Sequence, residues 1–326
     1  MIKIAITQGH PGGVAGEVVL KAFAETSMVE LCQPILYGSA SLMEAQRAAL
    51  QSETTFKRIS QLDEMRAERL NILDKTAAPM PLSFGMDTPE GMALEQETRQ
   101  QALADCQAGL VDAVVHAPSN QRLQAADGEM LVMVSRELRV AVATKVEKED
   151  EVAALLSVES VVESVKQLNN ILQRDFLLTR PRIAVLSLHA DDQTEETDIL
   201  MPAIEQSIGN DVNAFGPFPA DEFFEQCDHA SYDGILALCR TQAEKPFRTL
   251  DRDDAVSYLA GQDIVQVAPL QQAQLKIAGK GEAEILPFTS ALYLAADVVR
   301  NRADYDEARL NPLQKLYFDK REDNRR

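Results

Sequence analysis

Residues 6–19 read Ile6-Thr7-Gln8-Gly9-His10-Pro11-Gly12-Gly13-Val14-Ala15-Gly16-Glu17-Val18-Val19, or ITQGHPGGVAGEVV. The stretch continues an apolar run, IKIAIT at 2–7, and leads into an apolar, helix-compatible segment. Many α/β proteins receive a phosphate or nucleotide at such a strand-to-helix turn. Glycines there allow close backbone approach, and the helix N-terminus favours an anion. This turn is neither G-x-G-x-x-G nor a Walker A loop with its Lys-Ser/Thr. By itself it reads as a tight connection, with Gly9, His10 and Gly13 as its candidate contact residues.

Working outward, short apolar runs alternate with longer helical patterns. The segments 2–7, 34–39, 71–74, 112–118, 131–135, 138–144, 182–188, 234–238 and 263–268 read as buried strands, with amphipathic helices at 89–109, 151–175 and 194–208. Strands alternating with helices predict an α/β fold with mainly parallel sheets. In the 89–109 helix, Thr88 is a plausible N-cap, Pro89 occupies the first turn and Gly109 sits where a terminating glycine belongs. The tail from about residue 303 is highly charged. Its LQKLYF patch offers a docking segment, and its end reads as frayed.

Bulk properties exclude several functions. At 326 residues the chain has room for about two domains. A formal charge of −19 and a pI near 4.7 oppose binding to a phosphate backbone. Cys32, Cys106, Cys227 and Cys239 are far apart and form no CxxC, which predicts reduced thiols rather than a disulfide framework or a structural zinc. No apolar run approaches the length of a membrane span, and the N-terminus lacks the pattern of a signal peptide, so a cytoplasmic protein is expected.

Candidate chemistry is sparse. The four histidines His10, His116, His189 and His229 share no ligand spacing, and each alone reads as a loop or core residue. Asp191, Asp192, Glu195 and Glu196 have the chemistry to hold a hard cation, but they equally suit a solvated acidic loop capping the next helix. No G-x-S-x-G is present, and no cysteine sits in an obviously electropositive loop.

Blocks along nearly the whole chain carry a resemblance. AITQGHPGGVAGEVV, DAVVHAPSNQ, ELRVAVAT, TEETDILMPAI, FGPFPADEFF, AGKGEAE and PFTSALYLAADVVRNR occur in the order of the 4-hydroxythreonine-4-phosphate dehydrogenase (PdxA) family. The resemblance implies the two-domain fold of isocitrate and isopropylmalate dehydrogenases, with a cleft between domains. Residues 1–126 plus about 270–326 would form the first, discontinuous domain, and 127–269 a second that forms a homodimer. It also implies oxidation of 4-phosphohydroxy-L-threonine with NAD on the route to pyridoxal phosphate. A divalent metal held by three histidines would stabilise the developing negative charge.

The correspondence fails at those ligands. Val146 stands at the first metal histidine, Asp191 (or His189, with a small gap) at the second and Arg240 at the third, with Thr241 at the neighbouring acid. Valine has no donor atom, and a guanidinium has no lone pair to give. The family's Asn-Lys-His is Asn120-Gln121-Arg122, and its phosphate-binding Gly-His-Thr segment is absent. Arg248 replaces a lysine, Ser257 an asparagine and Gln266 an arginine. APLQQAQ at 268–274 replaces a loop beside the cofactor, and His10 replaces an acid.

Losing one transition-state stabiliser costs about 10²–10³ in rate, and groups acting as a unit fail together. The expectation is therefore a folded homologue that has shed the family's reaction, with no metal and no assured NAD. It would pair with itself or with an active paralogue. Two alternatives stay open. One is an active NAD-dependent dehydrogenase whose Arg122, Arg240 and Arg248 clamp another small anion. The other is a non-enzymatic, metabolite-binding or regulatory dimer partner.

Overall fold

The computed structural model describes residues 1–310 apart from 75, 77, 78, 153, 189–194, 227, 251 and 252. His189, Asp191, Asp192, Cys227 and the LQKLYF patch therefore lie outside the described residues.

In chain order the elements are β1 (Lys3–Thr7), α1 (Ala15–Ala22), α2 (Thr26–Leu31), β2 (Gln33–Tyr37), α3 (Ala40–Ala49), β3 (Phe56–Ile59) and β4 (Leu70–Leu73). Next come α4 (Pro89–Gln107), β5 (Ala113–His116), β6 (Met130–Val134), β7 (Arg139–Val142), α5 (Val158–Asp175), β8 (Arg182–Ser187) and α6 (Glu195–Gly209). The chain closes with β9 (Asn213–Pro219), α7 (Ala220–Glu225), β10 (Gly234–Ala237), α8 (Arg240–Thr249), β11 (Val256–Ala260), β12 (Val265–Pro269) and α9 (Leu286–Leu310).

Among the described residues the strands form one mixed, mostly parallel sheet in the order β3-β4-β2-β1-β5-β12-β11-β6-β7-β10-β8-β9. From β3 to β12 every neighbour is parallel, and so is every neighbour from β7 to β9. Between these blocks, β12–β11, β11–β6 and β6–β7 are antiparallel. Three reversals leave the two parallel blocks running in opposite directions. The inner strands are buried along almost their whole length, which is why they read as unbroken apolar runs.

Local signals set several boundaries. Thr88 Oγ1 accepts from Gly91 N at 3.1 Å, and Gly109 has the left-handed φ of +70° that ends α4. The helix expected from 151 begins instead at Val158, where Ser157 and Ser160 make a reciprocal capping box. The first part of the charged tail belongs to α9, which reaches Leu310.

The opening turn is a packed junction. His10 N donates to Pro118 O at 3.0 Å, and Val14 N to Ala273 O at 2.9 Å. A Cβ at Gly13 would lie 2.4 Å from Ala273 O, and Gly9 has a φ of +64° with Pro118 O 2.8 Å from where its Cβ would sit. Glycine is required at both positions because the chain's own backbone closes on the turn.

Candidate functional site

A cleft of about 500 Å³ is lined by the ends of β5 and β12, by β11, by α8 and by the loops at 117–123 and 270–274. Its floor is a charged knot on α8. Arg240, 5% exposed, donates from Nε to Glu244 Oε1 at 2.9 Å and from Nη1 to Leu123 O at 2.7 Å. Arg122 Nη1 reaches the same Glu244 oxygen at 3.0 Å, and Arg248 Nη2 reaches Oε2 at 2.9 Å. Three guanidinium groups thus converge on one buried carboxylate. The helix arranges two of them, because Arg240, Glu244 and Arg248 are spaced four apart and stack on one face.

The frame around the knot is fixed by buried polar bonds. Gln242 Oε1 accepts from Leu238 N at 2.7 Å, and its Nε2 donates to Ser187 O at 2.8 Å, tying α8 to the end of β8. Val146 presents its carbonyl to Arg240 N at 3.3 Å, so this position serves the start of α8 through its backbone. Among the described residues no group of three or more His, Cys, Asp or Glu is placed to hold a metal ion. The donor set does not suit a divalent cation at Arg240 either: the cationic side chain there is already paired with the nearest carboxylate.

The other wall holds His116, 4% exposed at the end of β5. Its Nδ1 lies 3.4 Å from Thr7 Oγ1, and the Gln266 side chain also bonds the ring. Burial pushes the imidazole pKa down to about 3, with the nearby Arg99 guanidinium adding to the effect and Gln266 opposing it. The ring is therefore neutral at pH 7. Ser119, also in the cleft wall, donates to the buried carboxylate of Glu95.

Neutral burial makes a pH prediction. The unfolded histidine takes up a proton below about 6.5 while the folded one resists down to about 3, so stability falls as pH drops through that window. Urea denaturation should show roughly 1.5 kcal/mol lost by the wild type between pH 6.5 and pH 5 beyond the loss in His116→Gln. Equal pH slopes in the two proteins would contradict a depressed pKa.

Of the residues singled out in the sequence, the cleft gathers Gln121, Arg122, Arg240, Arg248 and Ser257. Gln266 is buried beside His116. Asn120 Oδ1 accepts from Ala273 N at 3.3 Å and supports the loop rather than lining the cleft. Gly9, His10 and Gly13 belong to the turn behind it, where His10 Nε2 meets Asp87 Oδ1 at 2.6 Å. Sequence reasoning missed Glu244 and treated His116 as a loop or core residue. The Arg-x₃-Glu-x₃-Arg spacing was the visible signal for the first.

The fold and the cleft between its oppositely directed strand blocks place the chain in a class of large α/β proteins with a central ligand cleft. Comparison makes the class specific. The family model described as pyridoxal phosphate biosynthetic protein PdxA matches residues 30–131 and 121–295. A 4-hydroxythreonine-4-phosphate dehydrogenase of Bacteroides thetaiotaomicron is 33% identical over 348 residues, covering 99% of this chain and 96% of that protein. One from Erythrobacter litoralis is 28% identical, covering 92% and 98%. The crystal structure of 4-hydroxythreonine-4-phosphate dehydrogenase from Klebsiella pneumoniae has the same fold, with a TM-score of 0.76 at 22% identity over 92% of this chain and all of that one. The chain belongs to the PdxA family.

Proposed function

We propose that this chain is a PdxA-family protein that no longer performs metal-dependent, NAD-linked oxidation of 4-phosphohydroxy-L-threonine. One observation carries the reading. At the position aligned with a metal-binding histidine, the buried Arg240 is locked to Glu244 and to the Leu123 carbonyl. A permanently charged group in that position repels a divalent cation and offers it no lone pair. Val146 contributes only its carbonyl, and to the helix start. The loop at 268–274 also supports loss of the ordinary cofactor contacts, since Gln271 Nε2 is engaged by Gln274 Oε1 and Glu284 O at 3.1 Å each.

The remaining proposals follow the family. The protein acts as a homodimer or as the partner of an active paralogue, and it is cytoplasmic. Among the described residues no helix is long and apolar enough to cross a membrane. The division into 1–126 plus about 270–326 and 127–269 is supported by the reversals of strand direction across β11 and β6, with β12 the exception, since it pairs in parallel with β5 of the first part.

The test is turnover with 4-phosphohydroxy-L-threonine and NAD, with Zn²⁺, Mg²⁺ or Mn²⁺ supplied. The Bacteroides thetaiotaomicron relative serves as the positive control. The expected kcat/KM is at least ~10³-fold below the control, and metal analysis should find no stoichiometric divalent ion. Turnover within tenfold of the control would overturn the reading. A second reading, a dehydrogenase acting on another small anion, is favoured by the three arginines. NAD binding in isothermal titration would support it.

A further inference from the structure

We infer that residues 311–326 fold back along α9 and dock in a groove between that helix, the β6–β7 turn and the end of α5, with Leu316, Tyr317 and Phe318 as the apolar anchor. The occupant is this chain's own basic tail, which lies outside the described residues.

The groove, of about 710 Å³, runs along one stripe of α9, where Leu286, Ser290, Tyr293, Leu294, Asp297 and Asn301 share a helical face. Leu286 and Tyr293 are each 46% exposed there, whereas Phe288, Leu292 and Ala295 on the opposite stripe are buried. Two polar atoms in the groove wall lack a partner. Ser135 Oγ, on a residue 5% exposed, and Arg139 Nε are both buried, and neither has a hydrogen bond. The Arg139 guanidinium instead lies over the Phe176 ring, 4.7 Å from its centroid. A buried donor left unmatched costs free energy. A peptide supplies what is missing, a backbone carbonyl for the Nε–H and a carbonyl or N–H for the hydroxyl.

Reach and charge select the tail. Helix α9 ends at Leu310, and Asn311-Pro312 follows, a pair that stops a helix and turns the chain. Asn301 and Asp297 lie about 13 and 20 Å back from Leu310 along the helix. After a reversal at Pro312, Leu316 to Phe318 reach about 13–20 Å as extended chain. The anchor thus comes opposite the point where Asn301 bonds the Asp175 carbonyl and Phe176 follows. Lys320 and Arg321 fall opposite Tyr293 and Ser290. The groove carries Glu137, Asp253, Asp254 and Asp297 against Arg136 and Arg139, while Asp175 is already neutralised by Arg302. In the tail, Lys315, Lys320, Arg321, Arg325 and Arg326 outnumber Asp319, Glu322 and Asp323, on a chain whose net charge is −19. Leu286 and Asp253 line both groove and cleft, so the docked tail shares a wall with the cleft.

The chain has no tryptophan, so Phe318→Trp in the whole protein places a single reporter on the tail. Blue-shifted emission is expected, with acrylamide quenching several-fold weaker than that of free tryptophan amide. Adding Y293S/D297K, at two exposed positions of α9, should raise quenching to the level of the free amide and leave the far-UV circular dichroism unchanged. K320E/R321E, which alters no described residue, should raise it as well. Quenching as strong as that of the free amide in F318W itself, or protection that either set of substitutions leaves untouched, would overturn the strap. Protection regained by the Y293S/D297K variant on adding excess unmodified protein would place the tail on a second copy and overturn it too.

Discussion

Replacing Glu244 with alanine is expected to destabilise the protein by about 3 kcal/mol, the lower end of the range for breaking a buried ion pair. Among the described residues the carboxylate is the sole acidic partner within about 3 Å of three guanidinium groups. Arg122 and Arg248 can relax into water, but Arg240 cannot, and its next carboxylate oxygen, on Glu147, is 4.0 Å away. A buried charge would be left with the Leu123 carbonyl as its main support. Arg240→Met should be milder, roughly 1–2 kcal/mol, because Glu244 keeps Arg122 and Arg248 and only the Leu123 carbonyl loses a donor. Urea denaturation of both variants checks the asymmetry. Equal losses would mean that the knot is held by packing rather than by charge.

The sequence announced most of the sheet because inner parallel strands bury both faces and so appear as apolar runs. Every strand expected from such a run is present. The three that were not expected each lack that signature. Strand β3 is an edge strand with exposed and half-buried residues, and β9 is an edge strand carrying Gly216, Pro217 and Pro219, residues that oppose a strand assignment. Strand β11 reads VSYLA, with polar Ser257 facing the cleft. The site was legible in part for a similar reason. Departures at Arg240, Arg122 and Arg248 stood out against the family pattern, and the i,i+4 spacing on α8 joins two of them to Glu244, yet no local rule brings the distant Arg122 to the same carboxylate. His116 was hidden because an isolated histidine in an apolar strand has the same sequence signature whether it packs or binds. The opening glycines were visible but ambiguous, since close approach by a phosphate and close approach by Ala273 and Pro118 place the same demand on the backbone.

Arg302→Met is expected to cost about 3–5 kcal/mol, the range for breaking a buried ion pair. Asp175 is the last residue of α5 and 2% exposed, so a buried carboxylate sits at the negative end of a helix dipole. Such a charge needs compensation, and Arg302 on α9 supplies it, with Nε to Oδ1 at 2.7 Å and Nη2 to Oδ2 at 3.3 Å. Its Nη1 also donates to the carbonyls of Gln262 and Asp263, at 2.8 and 3.0 Å, and holds the β11–β12 turn. Tyr258 of β11 completes the cluster, donating to Asp175 Oδ2 at 2.6 Å while accepting from Arg302 at 2.8 Å. Burial together with the Asp175 charge raises the Tyr258 pKa well above its ordinary value, so the phenol stays protonated as a donor. Methionine matches the length of the arginine stem but leaves Asp175 with the phenol alone and two carbonyls without donors. Tyr258→Phe should cost only about 1–1.5 kcal/mol, because Arg302 remains to neutralise the carboxylate. Urea denaturation of the two variants separates these cases, and because the cluster is buried the difference should persist in 0.5 M salt, where a surface pair would be screened. A loss for Arg302→Met no greater than that for Tyr258→Phe would show that Asp175 is compensated by other means.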